Sequence, residues 1–255
     1  MPDYPKAAPR INTVESVPRR IRAVHGDRVV VDSQRAKYVW EWAYYPQFYF
    51  PADDVADDLL ASDGRTEVTP QGTVQWYRLA STEPGGPEVV RRVLESDHSH
   101  LVDTFRIDWD ALDRWYEEDE EVFVHPRSPY VRVDALRSTR SVRIELDGVV
   151  LAESRSPVMV FETGLPTRYY LNKTEVHFAH LTPSTTATEC PYKGRTTGYW
   201  SVVIGEQVHE DLAWCYDFPT RQVQPIAGLV AFYDEKVDVF VDGVLVDRPR
   251  SASSD

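Results

Sequence analysis

The chain has 255 residues, of which 42% are hydrophobic, and a formal net charge of −13. That charge argues against nucleic acid and against an anionic membrane surface as partners, because both are bound through clustered Lys and Arg. The two cysteines are too few for a secreted disulfide scaffold, and no apolar run reaches the ~20 residues of a membrane span. We therefore expect a soluble, cytoplasmic protein, and the sequence leaves its oligomeric state open.

An internal repeat organises the predicted elements. Residues 29–41 align with residues 150–162, and residues 48–55 align with residues 169–176, at one constant shift of 121 residues. Identical residues in this register are Ser33/Ser154, Glu41/Glu162, Tyr49/Tyr170 and Val55/Val176. After a small adjustment, Trp76-Tyr77 lies against Tyr199-Trp200. We predict two homologous halves, because a common register over this length is hard to obtain by chance.

The repeat predicts the domain organisation. We expect a disordered N-terminus over residues 1–16, a first repeat over 17–136, a second repeat over 137–247 and a disordered tail over 248–255. The boundary is placed between Val133 and Ser141, partly because residues 131–134 resemble residues 239–242 near the end of the second half. Residues 84–100 are interpreted as an insertion specific to the first half.

Two short helices are predicted in the first half. Apolar residues recur at helical spacing in residues 88–95, inside the predicted insertion. Residues 108–116 form the second candidate, with Asp108 as its N-cap.

Most of the remaining sequence indicates β-strands. Asp147-Gly148 and Asp242-Gly243 each separate two β-branched runs, which is a strong signal for a tight hairpin. Residues 199–204, ahead of Gly205, form a further strand candidate. We predict a mainly β fold: two tandem small β domains with antiparallel sheets or an open barrel, and few short helices.

A candidate reactive segment lies in the second half. Cys190 and Lys193 are three residues apart, and Pro191 and Gly194 favour a turn between them. A turn that brings an ammonium close to a thiol favours the nucleophilic thiolate. The alternative is that Cys190 is a small buried apolar residue and Lys193 a solvated charge.

Glu162 is the second candidate. It ends the apolar run 158–161, and partial burial would suit such a carboxylate to proton transfer. The alternative is a structural ion pair or turn-capping bond. Because the first half keeps Glu41 at the equivalent place, a shared structural task stays open.

Aromatic residues are concentrated in the second half, and Tyr169, Tyr199, Trp214 and Tyr216 are the candidates to line a ligand pocket. Core packing is the alternative for most of them. No Gly-x-Gly-x-x-Gly or P-loop is present, so no nucleotide cofactor is predicted. His177 and His180 lack a cysteine or carboxylate cluster at zinc spacing, so no metal site is predicted.

The two halves differ at the reactive segment. Opposite Cys190 the first half has Thr69, and opposite Lys193-Gly194 it has Gly72-Thr73. The first half therefore lacks both the thiol and the ammonium while keeping the glutamate and the proline. This favours a function for Cys190 and Lys193 and a degenerate first repeat.

The second half resembles the domain-of-unknown-function 427 family, which is sometimes labelled nucleotidyltransferase-like. The residues that carry the resemblance are Glu162, Tyr169-Tyr170, Glu175-Val176, Leu181, Thr188-x-Cys-Pro-x-Lys-Gly194, Tyr199, Asp211-x-Ala-Trp214-x-Tyr216, Ile226-Ala-Gly228 and Ala231-Phe-Tyr233. The resemblance covers about Val142 to Val246, is weaker in the first half, and implies a small β-rich domain related to β-tent folds. It implies no particular activity, and the residues give the nucleotidyltransferase label no support.

Three functions remain open. The second repeat could bind a small polar metabolite and transform it, with Cys190 as nucleophile or polar anchor, Lys193 as its activator and Glu162 as acid/base. It could bind such a ligand without chemistry, in a cage of aromatic side chains. It could also be a structural or interaction module in which the repeat forms an internal pseudo-dimer. Binding of a small molecule is the reading that the sequence favours.

Overall fold

The computed structural model describes residues 9–80 and 87–249. Its regular structure consists of antiparallel strands and short 3-10 turns, which confirms a mainly β protein. The described chain divides into an N-terminal unit that ends at Ser128 and a C-terminal unit that begins at Pro129. Across the described residues, no helix has the length and apolar composition needed to cross a bilayer.

The N-terminal unit is built of short strands. They are β1 (Val14–Ser16), β2 (Ile21–His25), β3 (Arg28–Ser33), β4 (Lys37–Val39), β5 (Gln47–Pro51), β6 (Leu60–Ala61), β7 (Thr66–Thr69), β8 (Gly72–Leu79), β9 (Val90–Glu95), β10 (Thr104–Ile107), β11 (Arg114–Glu117) and β12 (Glu120–Val122). Its 3-10 turns are Ala52–Asp54, Asp57–Leu59, Ser99–Leu101 and Trp109–Ala111. One sheet has the order β1-β4-β5-β10-β9-β8-β6, with β7 paired to β8, and the other has the order β12-β11-β2-β3.

The C-terminal unit repeats this plan. Its strands are β13 (Val133–Arg137), β14 (Val142–Leu146), β15 (Val149–Ser154), β16 (Val158–Glu162), β17 (Arg168–Leu171), β18 (Leu181–Ser184), β19 (Glu189–Cys190), β20 (Gly194–Arg195), β21 (Gly198–Ile204), β22 (Gln207–Cys215), β23 (Val230–Phe232), β24 (Asp238–Val241) and β25 (Val244–Leu245). Its 3-10 turns are Lys173–Glu175, Phe178–His180 and Arg221–Ile226.

The two units share one topology. The larger sheet of the C-terminal unit has the order β13-β16-β17-β23-β22-β21-β18, and the smaller has the order β15-β14-β24-β25. Each position corresponds to a strand at the same place in the N-terminal sheets. The C-terminal unit adds a separate two-stranded hairpin, β19-β20. The tandem repeat inferred from the sequence is therefore confirmed by the order of the strands.

Each larger sheet buries side chains on both faces, because successive residues of a strand point to opposite sides. In the C-terminal unit, one face packs with the smaller sheet in a core that contains Ile144, Leu171 and Phe232. The opposite face carries a second cluster with Tyr170 and Trp214, covered by the 3-10 turn Arg221–Ile226. This second face positions the candidate site.

Both predicted Asp-Gly hairpins are confirmed. Asp147 and Gly148 join β14 to β15 with positive φ values of 50° and 78°. Asp242 and Gly243 join β24 to β25 with φ values of 52° and 81°. Two successive positive φ values define the turn that matches the twist of a two-residue hairpin, and Asp-Gly adopts them at low cost.

The helix predicted over residues 88–95 is wrong. Residues 90–95 form strand β9, between β8 and β10. Val90 and Val93 are spaced as on a helix, but they are buried on opposite faces of the sheet, in two different clusters. Residues three apart on a regular strand point to opposite faces, and Val90 to Val93 pair with β8 without a break. Because β9 holds the place that β22 has in the other unit, residues 90–95 are a shared strand and lie outside any insertion.

The helix predicted over residues 108–116 is wrong as well. It is reduced to the 3-10 turn Trp109–Ala111, and β11 begins at Arg114. Asp108 makes no side-chain capping bond there. Pairing of β11 with β2 over four residues satisfies the backbone of this segment instead.

The ends of the units also differ from the predicted ones. Val14–Ser16, expected to be disordered, forms β1 and pairs with β4, and Arg248 contacts Asp238 at 2.8 Å. Residues 1–8 and 250–255 lie outside the described residues. The unit boundary falls before the predicted one, because Val133–Arg137 pairs with β16 as the first strand of the C-terminal unit. The proposed match of residues 131–134 to residues 239–242 is therefore wrong.

Candidate functional site

The hairpin β19-β20 carries two of the predicted site residues. Cys190 pairs with Gly194, so Pro191, Tyr192 and Lys193 form a three-residue turn. Gly194 has a φ of +97°, which a glycine adopts at low cost at this point of a hairpin. Thr220 anchors the tip, because its amide donates to the Lys193 carbonyl at 3.1 Å. The turn therefore places the side chains of Cys190 and Lys193 close to each other.

Lys193 bridges the thiol and the carboxylate. Its Nζ donates to Oε2 of Glu162, the last residue of β16, and lies 4.0 Å from Sγ of Cys190. The side chains of Glu162 and Lys193 are only 9% and 12% exposed, whereas Cys190 is half-buried. We call Cys190, Lys193 and Glu162 the thiol site. The structure thus brings together the three residues that the sequence put forward for catalysis.

The charged forms of Lys193 and Glu162 stabilise each other. Burial by itself would lower the pKa of Lys193, but the Glu162 carboxylate outweighs it and the pKa of Lys193 is raised. Lys193 therefore stays an ammonium at neutral pH and presents a fixed positive charge to the sulfur. A buried pair of this kind is stable only while both members are present, since either one alone would be an uncompensated charge.

Three of the four predicted aromatic residues lie in the same cluster as the thiol site. Tyr199, Trp214 and Tyr216 pack with Cys190 in the cluster under the 3-10 turn Arg221–Ile226. Burial raises the pKa of Tyr216, and Cys190 is among the neighbours that raise it further. Tyr169 does not join them, because it points to the other face of β17 and packs in the main core.

Three aromatic residues of this cluster, Tyr170, Tyr192 and Tyr233, were not predicted as site residues. Tyr170 is fully buried, and burial raises its pKa to about 12 although Lys193 acts in the opposite direction. The hydroxyl of Tyr233 lies 2.6 Å from that of Tyr199, and its ring centroid lies 4.4 Å from that of Trp214. The identity of Tyr49 and Tyr170 between the two halves was the signal in the sequence that favoured Tyr170 over Tyr169.

A second charged group backs the aromatic cluster. The guanidinium of Arg168 stacks over Trp214 at 5.5 Å and binds Glu235 at 2.9 Å and Asp234 at 3.3 Å. Burial raises the pKa of Asp234 to about 7, even though Arg168 opposes the shift. Asp234 can therefore change its charge near neutral pH, and sequence reasoning gave no indication of this.

The N-terminal unit keeps the carboxylate of the thiol site but pairs it differently. Glu41 accepts hydrogen bonds from Arg91 at 2.8 Å and from the hydroxyl of Tyr49 at 2.7 Å, and Arg106 lies at 3.6 Å. Burial and the neighbouring Arg91 lower the pKa of Arg106, and Glu41 opposes that shift. The first repeat thus lacks the lysine, as predicted, but it does not lack a cation.

The register of the sheets identifies where these arginines come from. Trp76 pairs with Arg91, which pairs with Arg106 on the next strand. In the C-terminal unit, Tyr199 pairs with Trp214, which pairs with Ala231. Arg91 and Arg106 therefore occupy the positions of Trp214 and Ala231. Each unit neutralises its glutamate. The N-terminal unit does so with arginines of the sheet, and the C-terminal unit does so with the lysine of the added hairpin.

Two surface cavities lie outside the thiol site. One, of about 550 Å³, is in the C-terminal unit and is lined by Arg143, Glu153 and Phe240 among others. The second, of about 520 Å³, is in the N-terminal unit beside Arg106. Neither is lined by Cys190, Lys193 or Glu162. Within the described residues, no group of three His, Cys, Asp or Glu side chains could hold a metal ion.

Fold and site define a class: a tandem-repeat β protein in which a thiol, an ammonium and a carboxylate meet in the second repeat. The chain belongs to the domain of unknown function 427 family (DUF427, NTP_transf_9), whose model matches residues 13–95 and 134–243. The match in the first repeat ends at β9, and the match in the second spans the thiol site. A search of the curated proteins found no match.

Proposed function

We propose that the C-terminal unit binds a small polar metabolite at the thiol site and that Cys190 reacts with it as a nucleophile. The observation that carries this proposal is the 4.0 Å separation between the Cys190 sulfur and the Lys193 ammonium, which Glu162 holds in place. A permanent positive charge at this distance stabilises the negative charge of a sulfur nucleophile as it attacks. Because Cys190 is half-buried, a ligand would reach it from solvent.

Each residue has a role in this proposal. The Cys190 sulfur forms a bond to an electrophilic carbon of the metabolite, and the thiol proton passes to Glu162. Lys193 stabilises the negative charge, first on the sulfur and then on the attacked group. Tyr199, Trp214 and Tyr216 orient the ligand through their rings. As the bond between that carbon and its leaving group breaks, Glu162 gives the proton to the leaving group. Water then hydrolyses the bond between the sulfur and the carbon, which frees the product and restores the thiol, so acid and base are the same residue.

The reactivity of the thiol tests this proposal without knowledge of the substrate. The rate of alkylation by iodoacetamide is measured for each cysteine by mass spectrometry of the intact full-length protein. Cys190 is expected to react about tenfold faster than Cys215, because Cys215 is buried and burial raises its pKa. Lys193→Met is expected to slow alkylation of Cys190 about tenfold. A Cys215→Ser variant serves as the matched control.

Equal alkylation rates of Cys190 in the wild type and in a folded Lys193→Met variant would remove the proposed activation. Near-ultraviolet circular dichroism establishes that the variant is folded. Should Lys193→Met not fold, Lys193→Arg keeps the charge and is expected to retain at least part of the reactivity.

A second candidate function is binding without chemistry. It is favoured by the packing of Tyr199, Trp214 and Tyr233, backed by Arg168, since stacked rings are a common platform for ligands. A set of small polar metabolites that raises the melting temperature, without a covalent adduct or product, would select this function. Under this function Cys190→Ser would keep the ligand-induced stabilisation, whereas under the first it would abolish turnover.

A further inference from the structure

The N-terminal unit contains a cavity that the proposed function does not use. Its volume is about 520 Å³, and its aromatic walls come from Trp42, Tyr45 and Trp109. Its charged and titratable lining consists of Arg106, Asp108, Asp110, His25 and His125. A cavity of this size, with aromatic and aliphatic walls and a few charges, has the composition of a small-molecule site.

The walls of this cavity are held by other rings. Tyr45 stacks on His125 with 3.7 Å between ring centroids and an angle of 6°. Trp42 stands nearly perpendicular to Tyr45, with 4.9 Å between centroids and an angle of 76°. Trp109 stacks on the buried Trp115 at 4.8 Å. The aromatic surface is therefore formed before any ligand arrives, which limits the entropy that binding would cost.

The charges around the cavity favour a cation. Arg106 is already bound to Asp108, and it donates to Gln47 at 3.1 Å. Burial raises the pKa of Tyr45; Arg106 opposes this shift, and Asp110, which is exposed in the cavity lining, adds to it. An anionic ligand would therefore have to displace Asp108 and approach Asp110. A cation would meet an aromatic wall and a carboxylate.

The net charge of the whole N-terminal unit also favours a cationic ligand. Residues 9–128 contain 23 Asp and Glu against 14 Lys and Arg, so most of the net charge of the chain lies here. An excess of one sign raises the local concentration of oppositely charged ligands.

This aromatic wall is specific to the N-terminal unit. In the 121-residue register, Trp42 and Tyr45 stand opposite Thr163 and Pro166. Because Arg106 corresponds to Ala231, Trp109 corresponds to Asp234. The unit that lost the thiol has thus gained three aromatic side chains around one cavity.

We propose that the N-terminal unit binds an organic ammonium cation in this cavity, with its charged head group against Trp42, Tyr45 and Trp109. Aromatic faces attract such cations through their quadrupole, and a rigid set of rings is the usual receptor for a quaternary ammonium. Asp110 supplies the compensating charge. This site goes beyond the function proposed for the thiol site and is independent of it.

Choline is the probe that tests this site, and its uncharged isostere 3,3-dimethylbutan-1-ol is the control. Binding to the full-length protein is measured by isothermal titration calorimetry at low salt. Choline is expected to bind saturably, with an affinity about tenfold higher than that of the isostere, because only the cation gains from the rings and the carboxylate. Absence of saturable binding, or equal binding of the two compounds, would overturn the proposal.

Variants of cavity residues test whether choline binds in this cavity. Trp42→Ala is expected to weaken choline binding about tenfold and Asp110→Asn about threefold, without an equal effect on the isostere. Phe218→Ala removes an exposed ring from the other unit and is expected to leave binding unchanged. Cys190→Ala is also expected to bind choline like the wild type, which separates this site from the thiol site. Unchanged choline binding in both Trp42→Ala and Asp110→Asn would contradict the assignment.

Discussion

Glu41 and Glu162 occupy the same place in two units of the same topology, and they are neutralised by different parts of the chain. Two arginines on neighbouring strands of the sheet bind Glu41, whereas a lysine on an added hairpin binds Glu162. The carboxylate and the tyrosine next to it are common to both units. The thiol occurs in one unit alone.

This difference separates a structural task from a chemical one. Glu162 is buried and Glu41 is half-buried, so each unit must provide a cation for its glutamate, because a charge withdrawn from water without a partner would be costly. The arginines meet this demand inside the sheet. The lysine meets it at the tip of a turn, next to a half-buried thiol. The first repeat therefore carries a different polar site. It has no counterpart of Lys193, and Arg91 and Arg106 neutralise its glutamate instead.

The largest expected effect is on stability, and it tests the shared structural task. We expect Glu41→Gln to lower the free energy of unfolding by roughly 3–5 kcal/mol, because it leaves the Arg91 guanidinium without its counter-ion, whereas Arg106 keeps Asp108. Glu162→Gln is expected to cost about 1–3 kcal/mol, since Lys193 can release its proton when buried alone. Urea unfolding of the full-length protein provides the measurement.

The control for this pair is Asp58→Asn, which removes an exposed ion pair with Arg28. It is expected to change the free energy of unfolding by less than about 1 kcal/mol. Losses as small as this in both Glu41→Gln and Glu162→Gln would show that neither carboxylate has a structural task.

The second prediction concerns the pairing of Glu162 with Lys193. The variants Glu162→Leu and Lys193→Met each leave an unpaired buried charge, whereas the double variant leaves none. We expect the double variant to be less destabilised than the sum of the single ones by roughly 1–3 kcal/mol. Strict additivity in urea unfolding would mean that the two side chains do not interact in solution.

The third prediction uses a difference in titration. Burial raises the pKa of Asp234 to about 7, whereas Trp109 occupies the equivalent place in the N-terminal unit. Between its unfolded value of 3.8 and about 7, the folded state binds more protons than the unfolded state, so stability falls as pH rises through this range. The loss between pH 5 and pH 7 is expected to be on the order of 2 kcal/mol.

Asp234→Asn is the variant that checks this. Its free energy of unfolding should lack that part of the pH dependence, while Asp58→Asn should retain it. Parallel curves for the wild type and Asp234→Asn between pH 5 and pH 7 would contradict the prediction.

The smallest effect is expected for the two tyrosines. The hydroxyl of Tyr49 donates to Glu41 at 2.7 Å, whereas among the described residues the buried hydroxyl of Tyr170 has no hydrogen-bond partner at normal geometry. Tyr49→Phe is expected to cost about 1–2 kcal/mol, and Tyr170→Phe less than about 0.5 kcal/mol. A larger loss of stability for Tyr170→Phe than for Tyr49→Phe would contradict this prediction.

Local signals in the sequence predicted what depends on neighbouring residues. The Asp-Gly hairpins and the turn at Pro191 were foreseen because turn type follows from which residues tolerate positive φ. The two short helices were predicted wrongly. For β9, the spacing of Val90 and Val93 fits one face of a helix and the two faces of a strand equally well, and burial on both faces of the sheet decided for the strand.

The sequence predicted the reactive residues of the candidate site, but it did not predict all the residues that surround them. Cys190 and Lys193 are close in the chain, so the turn alone brings them together. Tyr170 was passed over for its neighbour because a one-residue step on a strand changes the face, which only the packed sheet assigns.

The sequence by itself determined that this protein has two β-rich halves, where their hairpins turn, and that one half carries a thiol next to a lysine. These properties reside in repeated residues and in turns of a few residues. Only the tertiary structure decided that Lys193 binds Glu162, that Arg91 and Arg106 bind Glu41, and that Asp234 is buried beside Arg168. These contacts join strands that are distant in the chain. Their electrostatic consequences depend on burial, which no short segment specifies.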